Sequence, residues 1–124
     1  MRRIKNPKAK GANYERKIKR YLMERGWFVV RQAASAFPDL ISIPPKGEGK
    51  LTFCEVKWDL KNITSEEIET LIDLSKKHDA RSIIMFKKGA KYIEKAAMKH
   101  DLGMIIHADS LKILKGGRKN STLE

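Results

Sequence analysis

The sequence predicts an α/β fold in which a mixed central β-sheet is flanked by helices. Three observations carry that reading. Stretches with helical apolar spacing alternate with short runs rich in β-branched and aromatic residues. The turn-rich segment 44–49 joins two of those runs as a hairpin connection would. One run, residues 82–86, is apolar almost without interruption, as expected of a strand covered on both faces. The order read along the 124 residues is α-β-β-β-α-β-α-β, with no internal repeat and a length suited to one domain.

Residues 1–10 read as a flexible basic arm, with Pro7 opposing an early regular helix. Over residues 12–25, Tyr14, Ile18, Tyr21 and Leu22 recur on one helical face, and Gly26 is a natural stop. Residues 27–31, Trp-Phe-Val-Val-Arg, read as a strand. A loop at residues 34–38 precedes a second strand at 39–43, and residues 51–57 form a third. Thr64 followed by Glu67 matches a capping box, with Ser65 as a competing cap, and Ile68, Leu71, Ile72 and Ser75 share one face of the helix it starts. A third helix is expected over residues 90–100 on the stripe Tyr92, Ile93, Ala96 and Ala97, then a last strand at 103–107. A single domain is thus placed at residues 11–114, and residues 115–124 read as a loose tail.

The net charge is +12, and its placement is informative. Residues 1–31 carry a net +9, residues 32–110 are neutral, and residues 111–124 carry +3. Basic ends around a neutral middle are what a polyanion-binding face requires, because neutralising phosphates releases condensed counterions. Two solvated tails would give the same count. The basic segment lacks the bulky apolar face of a membrane-surface helix, and no apolar run reaches the ~18 residues that span a bilayer. The basic N-terminus is not followed by a secretory apolar stretch, and the lone Cys54 cannot form an intramolecular disulfide, so a cytoplasmic location is expected.

The chemistry centres on Pro38-Asp39 and Glu55-Val56-Lys57. Strand alternation points Glu55 and Lys57 one way and Cys54 and Val56 the other. Such a pair can be an ordinary cross-strand device on a solvated edge, but the surrounding Leu-Thr-Phe-Cys-Glu-Val-Lys-Trp run is too apolar for that. A short hairpin could place Asp39 beside Glu55. Two carboxylates meeting on a sheet repel unless a cation neutralises them. Hard oxygen donors select Mg²⁺ or Mn²⁺ over zinc. Lys57 could then position a water or stabilise charge growing on a phosphate, which is the equipment for phosphodiester hydrolysis. Glu15 adds a carboxylate at the margin of the first helix's buried stripe, where Arg16, Lys19 or a metal could partner it.

Taken together, Lys10-Gly11-Ala12-Asn13-Tyr14-Glu15-Arg16, Gly26-Trp27-Phe28-Val29-Val30-Arg31, Ser35, Pro38-Asp39-Leu40-Ile41 and Glu55-Val56-Lys57 resemble the archaeal-type Holliday junction resolvases of the PD-(D/E)xK nuclease superfamily. The match runs over residues 10–88 and fades afterwards. The resemblance implies a restriction-endonuclease-like nuclease fold and a homodimer that cuts paired strands of a four-way DNA junction with Mg²⁺ or Mn²⁺. It implies Asp39 and Glu55 as metal ligands, Glu15 as an additional acidic site residue and metal ligand, and Lys57 as the catalytic lysine. Ser35 matches a serine before the PD motif, and Arg16 and Arg31 match arginines near the scissile strand. Lys8 and Lys10 of the basic arm join the two arginines as nucleic-acid contacts. The loop Ala34-Ser35-Ala36-Phe37 lacks the glycine more usual in the family, and the second helix shows Glu66, Glu67 and Glu69 rather than a basic or glutamine-bearing face.

Other readings of the same residues are another PD-(D/E)xK nuclease acting in restriction, repair or RNA processing, a non-catalytic nucleic-acid-binding module, and a scaffold with solubilising ends. His78, His100 and His107 have no metal-ligand spacing and read as surface or core residues. Cys54 reads as a small core residue, Phe28 as core, and Trp27 and Trp58 as either packing or contact residues.

Overall fold

The computed structural model describes residues 7–33 and 36–123, with side chains described for 10–33 and 36–116. Helix α1 (Pro7–Glu24) is followed by strands β1 (Phe28–Arg31), β2 (Leu40–Ile43) and β3 (Thr52–Asp59). A 3₁₀ turn (Leu60–Asn62) leads to helix α2 (Ser65–Lys77) and strand β4 (Arg81–Lys88). Helix α3 (Lys91–Ala96), strands β5 (Met98–His100) and β6 (Gly103–His107), and helix α4 (Ala108–Leu123) complete the order. The strands form one mixed sheet in the order β1-β2-β3-β4-β6-β5. Only β3 and β4 are parallel, and α2 is the crossover between them; the other neighbours are antiparallel.

The two faces of the sheet carry separate cores. On one, Tyr14 and Ile18 of α1 pack on Val29, Leu40, Cys54, Val56, Ile83 and Met85. On the other, Ile68, Leu71 and Ile72 of α2 and Leu111 of α4 pack on Phe53, Ile84, Phe86 and Ile106. The central strands β3 and β4 are therefore apolar on both sides, which is why residues 82–86 show no alternation. Ser82 stays inside by donating its hydroxyl to the Leu71 carbonyl at 2.6 Å, which also ties α2 to β4. The capping box is present: the Thr64 hydroxyl accepts from the Glu67 N–H and the Glu67 carboxylate from the Thr64 N–H, both at 3.0 Å. Such a cap is worth about 1 kcal/mol. Gly103 is required by close approach, since a Cβ there would strike the Tyr14 hydroxyl and the Phe86 carbonyl.

Four expectations need correction. Residues 7–10 are helical rather than part of an arm, because proline suits the first helical position, whose N–H has no partner anyway; residues 1–6 lie outside the described residues. The third helix stops at Ala96, and Met98–His100 pairs with β6 as an edge strand. Residues 115–123, read as a loose tail, continue α4, whose Leu111 anchors in the core. Phe28 is 65% exposed rather than buried, because β1 turns Val29 to the α1 side and leaves Phe28 and Val30 on a part of the opposite face that no helix of the described residues covers.

Candidate active site

The site is built by the β2–β3 pairing. Register places Leu40 opposite Cys54, so Asp39, one residue earlier, falls beside Glu55. The two are locked by reciprocal backbone contacts. The Asp39 N–H donates to Glu55 Oε1 at 3.1 Å, and the Val56 N–H donates to Asp39 Oδ2 at 2.9 Å. The Gln32 N–H donates to the Asp39 carbonyl at 2.9 Å and its side-chain amide to the Pro38 carbonyl at 2.8 Å, so the loop entering β2 is held at its base. Strand alternation brings Lys57 to the same face, with Nζ 3.3 Å from Glu55 Oε2. Lys57 Nζ also lies 3.4 Å from Glu67 at the start of α2.

Burial sets the electrostatics. Glu55 is only 4% exposed, and its pKa is pushed up to about 8, first by loss of hydration and then by the Asp39 charge, against the opposing pull of Lys57. Asp39 is raised as well, chiefly by burial, although the Val56 N–H, Glu55 and Lys57 all pull it down. Burial would lower Lys57, but Glu55 and Glu67 outweigh it and the lysine is held more firmly protonated than usual. Both carboxyl shifts run in the direction that favours retaining a proton on the Asp39–Glu55 pair, and a bound cation would oppose that retention.

Glu15 reaches the neighbourhood from α1. Arg31 is its ion-pair partner, at 2.9 Å. Sequence spacing suggested Arg16 or Lys19, but the fold closes a separation of 16 residues between α1 and the end of β1. Arg16 is exposed and its long bond of 3.4 Å goes to Asn13, leaving it only a charge effect on Glu15. Burial and the nearby Asp39 raise Glu15, while Arg31 opposes them. Among the described residues no group of three or more His, Cys, Asp or Glu side chains is arranged to hold a metal, so Glu15 is not gathered with Asp39 and Glu55. The available donor set is the Asp39–Glu55 pair. That suits a hard ion such as Mg²⁺, which commonly takes one or two carboxylates and completes its shell with water and phosphate. Lys10 lies over the Trp58 ring, Lys8 is in the first turn of α1 with its side chain outside those described, and Ser35 lies outside the described residues.

Glu67 is the site residue that sequence reasoning missed. It was recognised as the capping-box glutamate, and nothing in its spacing shows that the same carboxylate also meets Lys57. The signal present was the short link from the end of β3 to the cap, which keeps the first turn of α2 beside the strand that carries Lys57.

The model of the family described as archaeal Holliday junction resolvase (Hjc) matches residues 6–115. The chain belongs to that family. A curated relative, the crossover junction endodeoxyribonuclease Hjc of Methanocaldococcus jannaschii, is 40% identical over 67 residues, which is 53% of this chain and 50% of the relative. The match thus spans about half the length of that relative. The solved structure of Archaeoglobus fulgidus Hjc, described as a Holliday junction resolvase from an archaeal hyperthermophile, aligns with a TM-score of 0.50 at 18% identity, covering 78% of this chain and 88% of that one. That likeness establishes a restriction-endonuclease-like fold for this resolvase-family chain, as its motifs implied. No helix among the described residues is long and apolar enough to cross a membrane.

Proposed function

We propose that this protein is a structure-selective DNA endonuclease that resolves four-way junctions by divalent-metal-dependent phosphodiester hydrolysis. The observation that carries the reading is the Asp39–Glu55–Lys57 constellation, assembled by the β2–β3 pairing in a chain of the resolvase family. Asp39 and Glu55 are the residues that would hold Mg²⁺ or Mn²⁺. Such an ion, when bound, supplies Lewis-acid polarisation of the scissile phosphate. Lys57, kept protonated by Glu55 and Glu67, places a fixed positive charge where negative charge grows on the phosphate, or orients the attacking water. Glu15 and Arg31 stand near the pair, and Arg16 and Arg31, with Lys8 and Lys10 of the first turns of α1, supply phosphate contacts for the bound DNA. Support for a DNA partner comes from the basic first 31 residues, whose net charge is +9. A four-way junction is two-fold symmetric, so a homodimer with two equivalent sites is the assembly that fits paired cuts.

The test is cleavage of a synthetic four-way junction and its matching linear duplex, side by side, with Mg²⁺ and with chelator, and with Asp39→Ala as control. Paired metal-dependent nicks in the junction alone, lost in the variant, support the reading. Equal cutting of both substrates would make the protein another nuclease of the superfamily. Binding without cutting under either metal would remove the enzymatic reading altogether. Light scattering of the purified chain reads the dimer separately.

A further inference from the structure

On the α1 face of the sheet, around the corner from the carboxylate pair, lies a cleft of about 270 Å³. Lys10, Asn13, Tyr14 and Lys17 of α1 form one wall, and Trp58 of β3 and Lys87 of β4 form the other. Its lining includes three ammonium groups and no carboxylate, although acidic side chains are common elsewhere on this chain. Trp58 follows Lys57 directly on β3, so strand alternation sends the two to opposite faces and one strand positions both. Trp58 as a residue is 37% exposed, high for so large an apolar side chain.

Trp58 is also buttressed. Tyr14 meets it edge-on at 5.6 Å between centroids and 77° between planes. Tyr14 is itself fixed, being 2% exposed, with its hydroxyl unpartnered against Gly103, where no side chain could fit. The Lys10 ammonium stands 4.6 Å from the Trp58 ring centre, and the Lys87 ammonium 5.8 Å from both aromatic centres. A buttressed aromatic surface flanked by lysine ammonium groups is the equipment of a single-strand nucleic-acid site. There the bases stack without regard to sequence while the cations follow the phosphates. A lysine resting on a half-exposed ring is a weak contact, easily exchanged for a phosphate. The basic groove on the other flank of α1, lined by Arg16, Lys19, Arg20, Met23, Glu24 and Arg31, has charge but no aromatic ring. It suits a paired backbone and offers an unpaired base nothing.

We infer that the Trp58 cleft is a second nucleic-acid subsite that takes an unpaired nucleotide of the substrate, its base stacked on Trp58 and its phosphate held by Lys10, Lys17 and Lys87. This rests on the reading of the protein as a junction nuclease and deepens it. Bases at a branch point open far more cheaply than bases inside a continuous duplex, so a site that rewards unpaired bases selects branched from linear DNA. Trp58 is in that sense a specificity-determining residue.

The experiment uses the full chain with Trp27→Phe, which leaves Trp58 as its single tryptophan, in chelator so that nothing is cut. Emission is followed while a four-way junction, a linear duplex and an unstructured oligothymidylate are titrated in. The expected result is strong quenching by the junction and the oligothymidylate and little by the duplex. Trp58→Ala should weaken junction binding about tenfold and leave duplex binding unchanged, with Trp58→Phe retaining most of the affinity. Lys10→Ala should reduce the salt slope of junction binding by about one. Absence of quenching by every DNA, or equal weakening of junction and duplex by both Trp58 variants, would overturn the inference. Failure of the nuclease reading is separate: it would show as missing cleavage in the Asp39 assay, while quenching by oligothymidylate would still report the cleft.

Discussion

Two acidic regions within one neighbourhood are handled in opposite ways. Glu15 is neutralised inside the chain by Arg31 at 2.9 Å, both side chains partly exposed. Asp39 and Glu55 are instead placed against each other, with Glu55 buried and its pKa pushed up to about 8. Lys57 relieves that repulsion only in part, because it is shared with Glu67. The first arrangement is complete by itself. The second stores unfavourable electrostatics that a divalent ion would remove, a common trade at sites built for chemistry rather than for stability.

The difference can be broken most directly at Asp39. Asp39→Ala should lower metal-dependent junction cleavage by about a thousandfold while DNA binding survives, since several kcal/mol of charge stabilisation go with the ion. If Glu15→Ala cost as much, the contrast between the two regions would be wrong. Lys57→Met comes next, with an expected loss of about a hundredfold in single-turnover rate, the scale of losing one preorganised charge at a developing anion.

A pH series sharpens the comparison without any substrate. The folded pKa of Glu55 lies above its ordinary value of 4.5, so its neutral form favours the fold. That contribution is fully present below about 4.5 and is lost as pH rises through about 8. Metal-free protein should therefore melt progressively lower between pH ~5 and ~8.5, by several degrees, and Glu55→Gln should flatten the profile. Added Mg²⁺ or Mn²⁺ should recover the loss at the alkaline end in the parent chain and not in the variant, as expected when a ligand binds only the folded state. A parent profile that rises with pH would contradict the assignment of the strain to this carboxyl. The smallest effect belongs to Glu15→Gln. A partly exposed ion pair is worth about 0–1 kcal/mol, so stability should barely move and cleavage should fall only a few-fold.

Much of this site was legible because strand periodicity is strict. Glu55 and Lys57 had to share a face, Cys54 and Val56 had to share the other, and the turn chemistry at residues 44–49 made Asp39 a neighbour. The Thr64–Glu67 cap was equally local. What stayed hidden depended on long-range closure. Arg31 reaches Glu15 only once β1 lies along α1, and Glu67 reaches Lys57 only once the turn after β3 has folded the start of α2 back beside that strand. Among the elements, β5 was absorbed into a helical reading because Ala96 and Ala97 continue the stripe of Tyr92 and Ile93, and the return is made by Gly103. The continuation of α4 through residues 115–123 was obscured by Gly116 and Gly117, which suggest a break the chain does not take.

The carboxylate of Glu67 has one further implication. It closes the first turn of α2 through the Thr64 N–H and anchors the ammonium of Lys57. The rotational phase of that helix and the position of the Lys57 ammonium are thus registered by a single group. Any exchange at Glu67 therefore changes two things at once, the closure of the first turn of α2 and the seat of the Lys57 ammonium.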